Sequence, residues 1–172
     1  MRRPLALAGS AVFFVMAPGI VAGFVPWLLT GRYGLPITSS PILALLGALL
    51  VVAGVLVLLM AFARFALEGK GTPAPVAPTE RLVVTGAYRH VRNPMYLAVL
   101  AIILGQALLF ASWPLAAYAA AALLATYAFV RLYEEPTLSQ RYGRQYETYR
   151  RAVPGWLPRL TPWRGESDGK TQ

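Results

Sequence analysis

Long runs of residues without a single charge constrain this chain more than any other feature. Three stand out: Pro4 to Gly31, Ser39 to Ala63 and Asn93 to Val130. A helix rises about 1.5 Å per residue and a bilayer's hydrocarbon core is about 30 Å thick, so roughly 20 apolar residues span it. Each run is long enough to cross, and the third is nearly two crossings long. Ser112-Trp113-Pro114 sits at its middle. Proline breaks a helix and tryptophan favours the membrane interface, which predicts a tight helical hairpin there. The expected fold class is therefore all-α, a polytopic membrane helical bundle of about four transmembrane helices near residues 8–30, 41–66, 94–111 and 113–133. Composition agrees: 57% of the 172 residues are hydrophobic and only 13% charged, where soluble domains carry about a quarter charged. A water-soluble nucleotide-binding core is the poorer reading. The absence of cysteine excludes disulfide scaffolds, cysteine-rich metal centres and cysteine nucleophiles, and a single histidine leaves little for a metal, so no metal site is expected.

The net charge of +9, from 16 Lys and Arg against 7 Asp and Glu, is best read by its placement. Arg2 and Arg3 precede the first run, and Arg32 alone separates it from the second. Arg64, Lys70, Arg81, Arg89 and Arg92 lie before the third. After it come Arg131, Arg141, Arg144, Arg150, Arg151, Arg159, Arg164 and Lys170, and the hairpin turn carries no charge. The positive-inside rule then puts both termini and the middle loop in the cytoplasm of an integral membrane protein, of the bacterial inner-membrane kind. Topology accounts for the basicity and no reading motif accompanies it, so nucleic acid is not an expected partner; the lipid bilayer is. The N-terminus has signal-peptide features, but its apolar run is long for one. Small residues four apart, Gly19 and Gly23, Ala44 and Ala48, Ala116 and Ala120, either let helices approach closely or reflect the abundance of alanine and glycine. A cytoplasmic linker over about 68–92, proline-rich in Gly69 to Pro78, separates a plain hydrophobic half from one rich in polar and aromatic residues.

Two constellations fall in that second half. The first, Thr85 to Tyr96 (TGAYRHVRNPMY), leads into the third run. Pro94 suits the first turn of a helix, Tyr96 keeps its hydroxyl near the interface, and arginines beside a helix N-terminus favour an anion such as a carboxylate or phosphate. The second is Arg131-Leu132-Tyr133-Glu134-Glu135-Pro136. Two adjacent carboxylates at a helix C-terminus oppose the macrodipole and repel each other, so they need a cation. Adjacent helical residues diverge by about 100°, which predicts one glutamate facing inward and the other paired with a surface arginine. Beyond, Leu138, Tyr142, Tyr146, Tyr149 and Val153 form one face of a helix over about 136–152, an amphipathic cytoplasmic helix that either anchors at the interface or folds over the site as a lid. The hairpin brings both constellations to the same cytoplasmic mouth, where arginines and glutamates together suit a zwitterionic ligand. Residues 164–172 form a polar tail.

From Arg81 to Pro158 these residues resemble the isoprenylcysteine carboxyl methyltransferases and related bacterial phospholipid methyltransferases. The marks are Gly86-Ala87-Tyr88-Arg89, Arg92-Asn93-Pro94-Met95-Tyr96, Glu134-Glu135, Leu138, Tyr142-Gly143, Tyr146, Tyr149, Val153-Pro154 and Leu157-Pro158. The resemblance implies one membrane methyltransferase-like domain over residues 1–163. It also implies an enzyme that uses S-adenosylmethionine without a Rossmann domain. By that resemblance Arg92, Asn93 and Tyr96 line the cofactor's amino-acid end, Glu134 and Glu135 bind the cofactor or shape the methyl-transfer centre, and Tyr88, Tyr146 and Arg150 lie nearby. Glu134, Glu135 and Arg92 are the implied catalytic residues. The better-known members carry histidine where this chain has Asn93, which donates and accepts hydrogen bonds but does not titrate near neutral pH. The implied acceptor is lipid-like or a small hydrophobic molecule, of the isoprenylcysteine carboxylate or phospholipid amine type. A small thiol or amine acceptor, and a non-catalytic membrane scaffold or transporter, are the alternatives.

Overall fold

The structure is a computed structural model, and it describes residues 16–68 and 82–165. Among these residues it is all-α, with five helices. Helix α1 spans Met16–Leu29, α2 Pro41–Glu68, α3 Pro94–Leu109, α4 Trp113–Tyr142 and α5 Arg144–Ala152. A 3-10 turn at Gly86–Arg89 precedes α3. Local sequence explains the helix starts. Ser40 caps α2 through Oγ to the Leu43 N–H at 3.4 Å, and Pro41, Pro94 and Pro114 each stand in a first turn, where the missing N–H has no intrahelical partner to lose. Ala111, at φ 43°, and the Ser112 N–H bonded to the Ala107 carbonyl at 2.9 Å reverse the chain between α3 and α4.

The expected count of about four transmembrane helices is not what the described residues show. Two helices are long and apolar enough to cross a membrane, Pro41–Arg64 within α2 and Trp113–Tyr142. In each, only 17% of the apolar window is buried inside the structure, so neither is the core helix of a soluble protein. α1 and α3 are apolar but shorter. The 16 residues of α3 reach roughly 24 Å at the helical rise. α3 begins where expected, at Pro94, and ends at Leu109 instead of 111 because Phe110 and Ala111 already belong to the turn. The start of the expected first crossing (8–15), most of the linker and the end of the polar tail lie outside the described residues. The amphipathic helix expected over 136–152 is also not continuous. Its first half extends α4 to Tyr142, Gly143 turns the chain at φ 50°, ψ −127°, and α5 begins at Arg144.

Both α1 and α4 contain a π-helical turn two residues ahead of a proline, Ile20–Phe24 before Pro26 and Val130–Glu134 before Pro136. A proline inside a helix clashes with the carbonyl four residues back and leaves it without a partner, and the π turn opens the ladder where that happens. In α1 the freed carbonyls are met from the neighbouring helices. Gln106 of α3 donates Nε2–H to the Ala22 carbonyl at 2.8 Å, and the Tyr118 hydroxyl of α4 donates to Val21 at 2.9 Å. Tyr33 in turn donates to Gln106 Oε1 at 2.9 Å.

α2 and α3 pack backbone to backbone through glycine. A Cβ on Gly105 would meet the Gly47 carbonyl at 2.6 Å and the Val51 nitrogen at 2.9 Å, and one on Gly54 would meet the Ala98 carbonyl at 2.7 Å. The four-apart pairs noted in the sequence do not make such contacts: a Cβ on Gly23 meets nothing within 4 Å, and Ala48, Ala116 and Ala120 are exposed. Gly105→Ala is therefore expected to destabilise. Helix propensity gains roughly 0.5–1 kcal/mol, but forcing rigid backbones apart costs about 1–3 kcal/mol. Gly23→Ala keeps only the gain, so thermal unfolding in one detergent should shift in opposite directions for the two variants.

Candidate active site

The site is built where the segment before α3 meets the end of α4, α5 and the chain beyond it. That chain pairs antiparallel with the residues ahead of α3. The Arg92 N–H donates to the Pro154 carbonyl at 2.9 Å, Arg159 N–H to His90 at 3.0 Å, and Trp163 N–H to Arg89 at 2.9 Å. Arg159 Nη1 also caps α5 by donating to the Ala152 carbonyl at 2.7 Å. The stripe of Leu138, Tyr142, Tyr146, Tyr149 and Val153 survives the break at Gly143, because both halves wrap one cluster with Leu82, Val84 and Trp163. α5 thus turns its apolar face inward over the start of α3.

Arg92 is the hub. Its Nη1 donates to Glu135 Oε1 at 2.7 Å and to the Tyr146 hydroxyl oxygen at 3.0 Å, and its Nε to the Val153 carbonyl at 3.0 Å. Glu135 is 5% exposed, and its other oxygen takes Arg131 at 3.0 Å and Arg150 at 3.3 Å. Its neighbour Glu134 accepts from the Tyr96 hydroxyl at 2.8 Å. Glu134 therefore faces the pocket, and Glu135 stands behind it on Arg92 and the partly exposed Arg131 and Arg150.

Tyr88 is buried and its carbonyl accepts from the Tyr149 hydroxyl at 2.6 Å. Burial pushes the Tyr88 and Tyr149 phenols well above their ordinary range, and Tyr146 upward despite the opposing effect of Arg92, so all three stay neutral hydrogen-bonding groups.

A pocket opens on this cluster from the bundle. Ala17 and Val21 of α1, Leu58 and Phe62 of α2, and Val99 of α3 give it apolar walls, and Tyr88, Arg92, Asn93, Tyr96 and Glu134 give it polar groups. Asn93 is 7% exposed, yet its Nδ2 has no hydrogen-bond partner among the described residues. Gly155 packs closely beside the two, since a Cβ there would come 3.1 Å from Arg92 Nη2 and 3.6 Å from Asn93 Nδ2. A buried donor without a partner carries a penalty of about 1–3 kcal/mol, which a ligand oxygen would relieve.

Of the sequence-derived residues, Tyr88, Arg92, Asn93, Tyr96 and Glu134 line the pocket. Glu135, Tyr146 and Arg150 stand behind it on Arg92 or on Glu135. Sequence reasoning missed Gly155 and Trp156, whose ring lies 6.4 Å from Tyr96 and 5.8 Å from Tyr127. They directly follow the quoted Val153-Pro154, so the signal was adjacent. Arg131, named in the second constellation without a role, is the i,i+4 partner of Glu135.

The chain matches the family model for phospholipid methyltransferase (PEMT) over residues 42–145, well over half its length. It belongs to that family and is an S-adenosylmethionine-dependent methyltransferase. The match begins in α2, ahead of the stretch that carried the resemblance. Family membership and the two long, outward-facing apolar helices make this a membrane-associated enzyme. No curated protein and no solved structure matches the chain. The residues present fit the cofactor: a buried amide donor without a partner among the described residues, beside the Arg92 guanidinium, suits a carboxylate, and Glu134 among tyrosines suits a cationic centre.

The two glutamates should separate in a stability measurement. Glu135→Ala strands the buried Arg92 guanidinium and is expected to destabilise by about 3–5 kcal/mol. Glu134→Gln keeps a partner for Tyr96 and should unfold within a degree or two of the native chain, on the order of surface substitutions. Arg131→Ala should lose much less than Glu135→Ala, because nearly half of its side chain is exposed. Thermal unfolding of the three variants in one detergent checks that order.

Proposed function

We propose that this enzyme methylates a lipid-like or small hydrophobic acceptor, of the phospholipid amine or isoprenylcysteine carboxylate type, in the pocket between α1 and the start of α3. The observation that carries this reading is the buried, unpartnered Asn93 amide beside Arg92 and Gly155, at the polar end of an otherwise apolar cavity. Bound S-adenosylmethionine supplies an electrophilic methyl group on a cationic sulfur. Arg92 and Asn93 hold its carboxylate, and Tyr96 and Glu134 face the reacting centre. Glu135, Tyr146 and Arg150 fix the Arg92 guanidinium, so that its remaining donors need no reorganisation when a ligand arrives. Rate then comes from holding the partners together and from the apolar walls that exclude water. An amine acceptor that must lose a proton would find Glu134 as the carboxylate in the pocket; a carboxylate acceptor needs no base. In this reading residues 1–163 act as one methyltransferase domain. The arginine-rich end of the bundle, with the site and both termini, faces the cytoplasm of a bacterial inner membrane. The support for that orientation is the distribution of basic residues.

The apolar walls favour an acceptor with a lipid tail over a small thiol or amine. Binding of S-adenosylmethionine in lipid nanodiscs, followed by turnover with acceptors of graded tail length, tests this. Asn93→Ala should weaken cofactor binding roughly five- to thirtyfold, the effect of about 1–2 kcal/mol, and Glu134→Gln should lower turnover by more than it lowers binding. Folded variants that bind and turn over like the native chain would remove these residues from the site. Equal turnover of tailed and untailed acceptors would shift the substrate to the small thiol or amine class. A reporter fused after Gln172 that reads as periplasmic would reverse the orientation.

A further inference from the structure

A second cavity, of about 470 Å³, shares no described lining residue with the methyl-transfer pocket. Arg89, Arg164, Thr85, Gln145 and Thr148 face it, with Trp163 as an aromatic wall. Arg89 uses its Nε on the Trp163 carbonyl, which fixes the plane of the guanidinium and leaves both terminal nitrogens for another partner. No described residue is paired with those nitrogens, and Arg164 lines the same cavity. No carboxylate is among the described lining residues. The acid of α5, Glu147, is taken up by Ser139 at 2.6 Å and by Arg150 at 4.0 Å.

We propose that this cavity is a phosphate-binding site, separate from the methyl-transfer pocket, in which Arg89 and Arg164 grip a phosphate group with Thr148 and Gln145 as further donors. Two guanidinium forks with hydroxyl and amide donors match a tetrahedral anion with several acceptor oxygens, and Arg is the side chain suited to bidentate phosphate recognition. The phosphate comes from a lipid headgroup or from a soluble phosphate compound. The headgroup has independent support: Leu157 and Leu160, on the segment that carries Arg159, Trp163 and Arg164, are 80% and 98% exposed. Bare leucines flanked by arginines and tryptophan are the composition of a segment seated at the headgroup level of a bilayer. The methyl-transfer assignment does not enter the argument, so each can fail alone.

The test uses the full chain in a neutral detergent, with thermal unfolding followed as three probes are added: short-chain phosphatidylglycerol, the corresponding diacylglycerol without phosphate, and inorganic phosphate. A ligand that binds the folded state raises the midpoint saturably. Phosphatidylglycerol should do so and diacylglycerol should not. Arg164→Gln and Thr148→Val should each weaken the effect, the arginine by about tenfold, as loss of a charge-assisted bond implies. Arg151→Gln, an exposed arginine of α5 outside the cavity, should change it by less than about twofold. S-adenosylmethionine binding by Arg164→Gln should equal that of the native chain. Inorganic phosphate acting as well as phosphatidylglycerol, with the same dependence on Arg164, supports the site and assigns a soluble source; a strong preference for the lipid assigns the headgroup. The proposal is overturned if no phosphate probe binds, if diacylglycerol protects equally, if Arg164→Gln and Thr148→Val bind like the native chain, or if Arg151→Gln loses as much as Arg164→Gln.

Discussion

The buried ion pair between Arg92 and Glu135 holds the functional end of this molecule together. One guanidinium joins the lead into α3, the end of α4, the Tyr146 hydroxyl of α5 and the Val153 carbonyl beyond it. Removing both charges from water offsets most of their attraction, so such a pair adds little net stability. Its effect is on register. Any sliding of α4 or α5 would leave a charge buried without a partner, and that arrangement is excluded by several kcal/mol. Glu135 needs Arg131 and Arg150 on its second oxygen for the same reason: a carboxylate with an unmet oxygen in this setting would weaken its hold on Arg92.

Much of this was legible in the residues. Absence of charge over long runs gave an all-α chain, and the motifs around Arg92 and Glu134 gave a cluster that the structure gathers at one end of the bundle. The count of crossings was not legible, because a charge-free run measures where ions are excluded and not where a helix begins and ends. Phe110 and Ala111 belong to such a run and to the expected third crossing, and yet they turn. The break at Gly143 was hidden by the stripe from Leu138 to Val153, since a helix folded back on itself can bury the same side chains as a straight one. Glycine contacts were hidden too: spacing marked Gly23, whereas Gly47, Gly54 and Gly105 are the positions where two backbones meet, and only the placement of α2 against α3 decides that.

The parting of the two glutamates, one to the pocket and one to the arginines behind it, shows how the end of a helix becomes chemistry. A regular helix would point Glu134 and Glu135 about 100° apart. With Pro136 disrupting the ladder and a π turn ahead of it, one carboxylate reaches Arg92 and its neighbour reaches Tyr96. The proline that looks in the sequence like the end of a helix instead sets the aim of the two residues before it.

The other π turn has a different consequence. Val21 contributes its side chain to the wall of the pocket, while its carbonyl hangs from the Tyr118 hydroxyl and that of Ala22 from the Gln106 amide. α1 is thus fastened like a panel on two latches, and both latches belong to helices that do not themselves depend on α1 for their internal hydrogen bonds. The wall on that side is held by these two bonds together with apolar packing, since Ala22 is buried in a cluster with Leu58, Ala98, Ile102, Ile103 and Ala119. The glycine seam sets how closely α2 and α3 approach, and side-chain donors from α3 and α4 set where α1 stands against them.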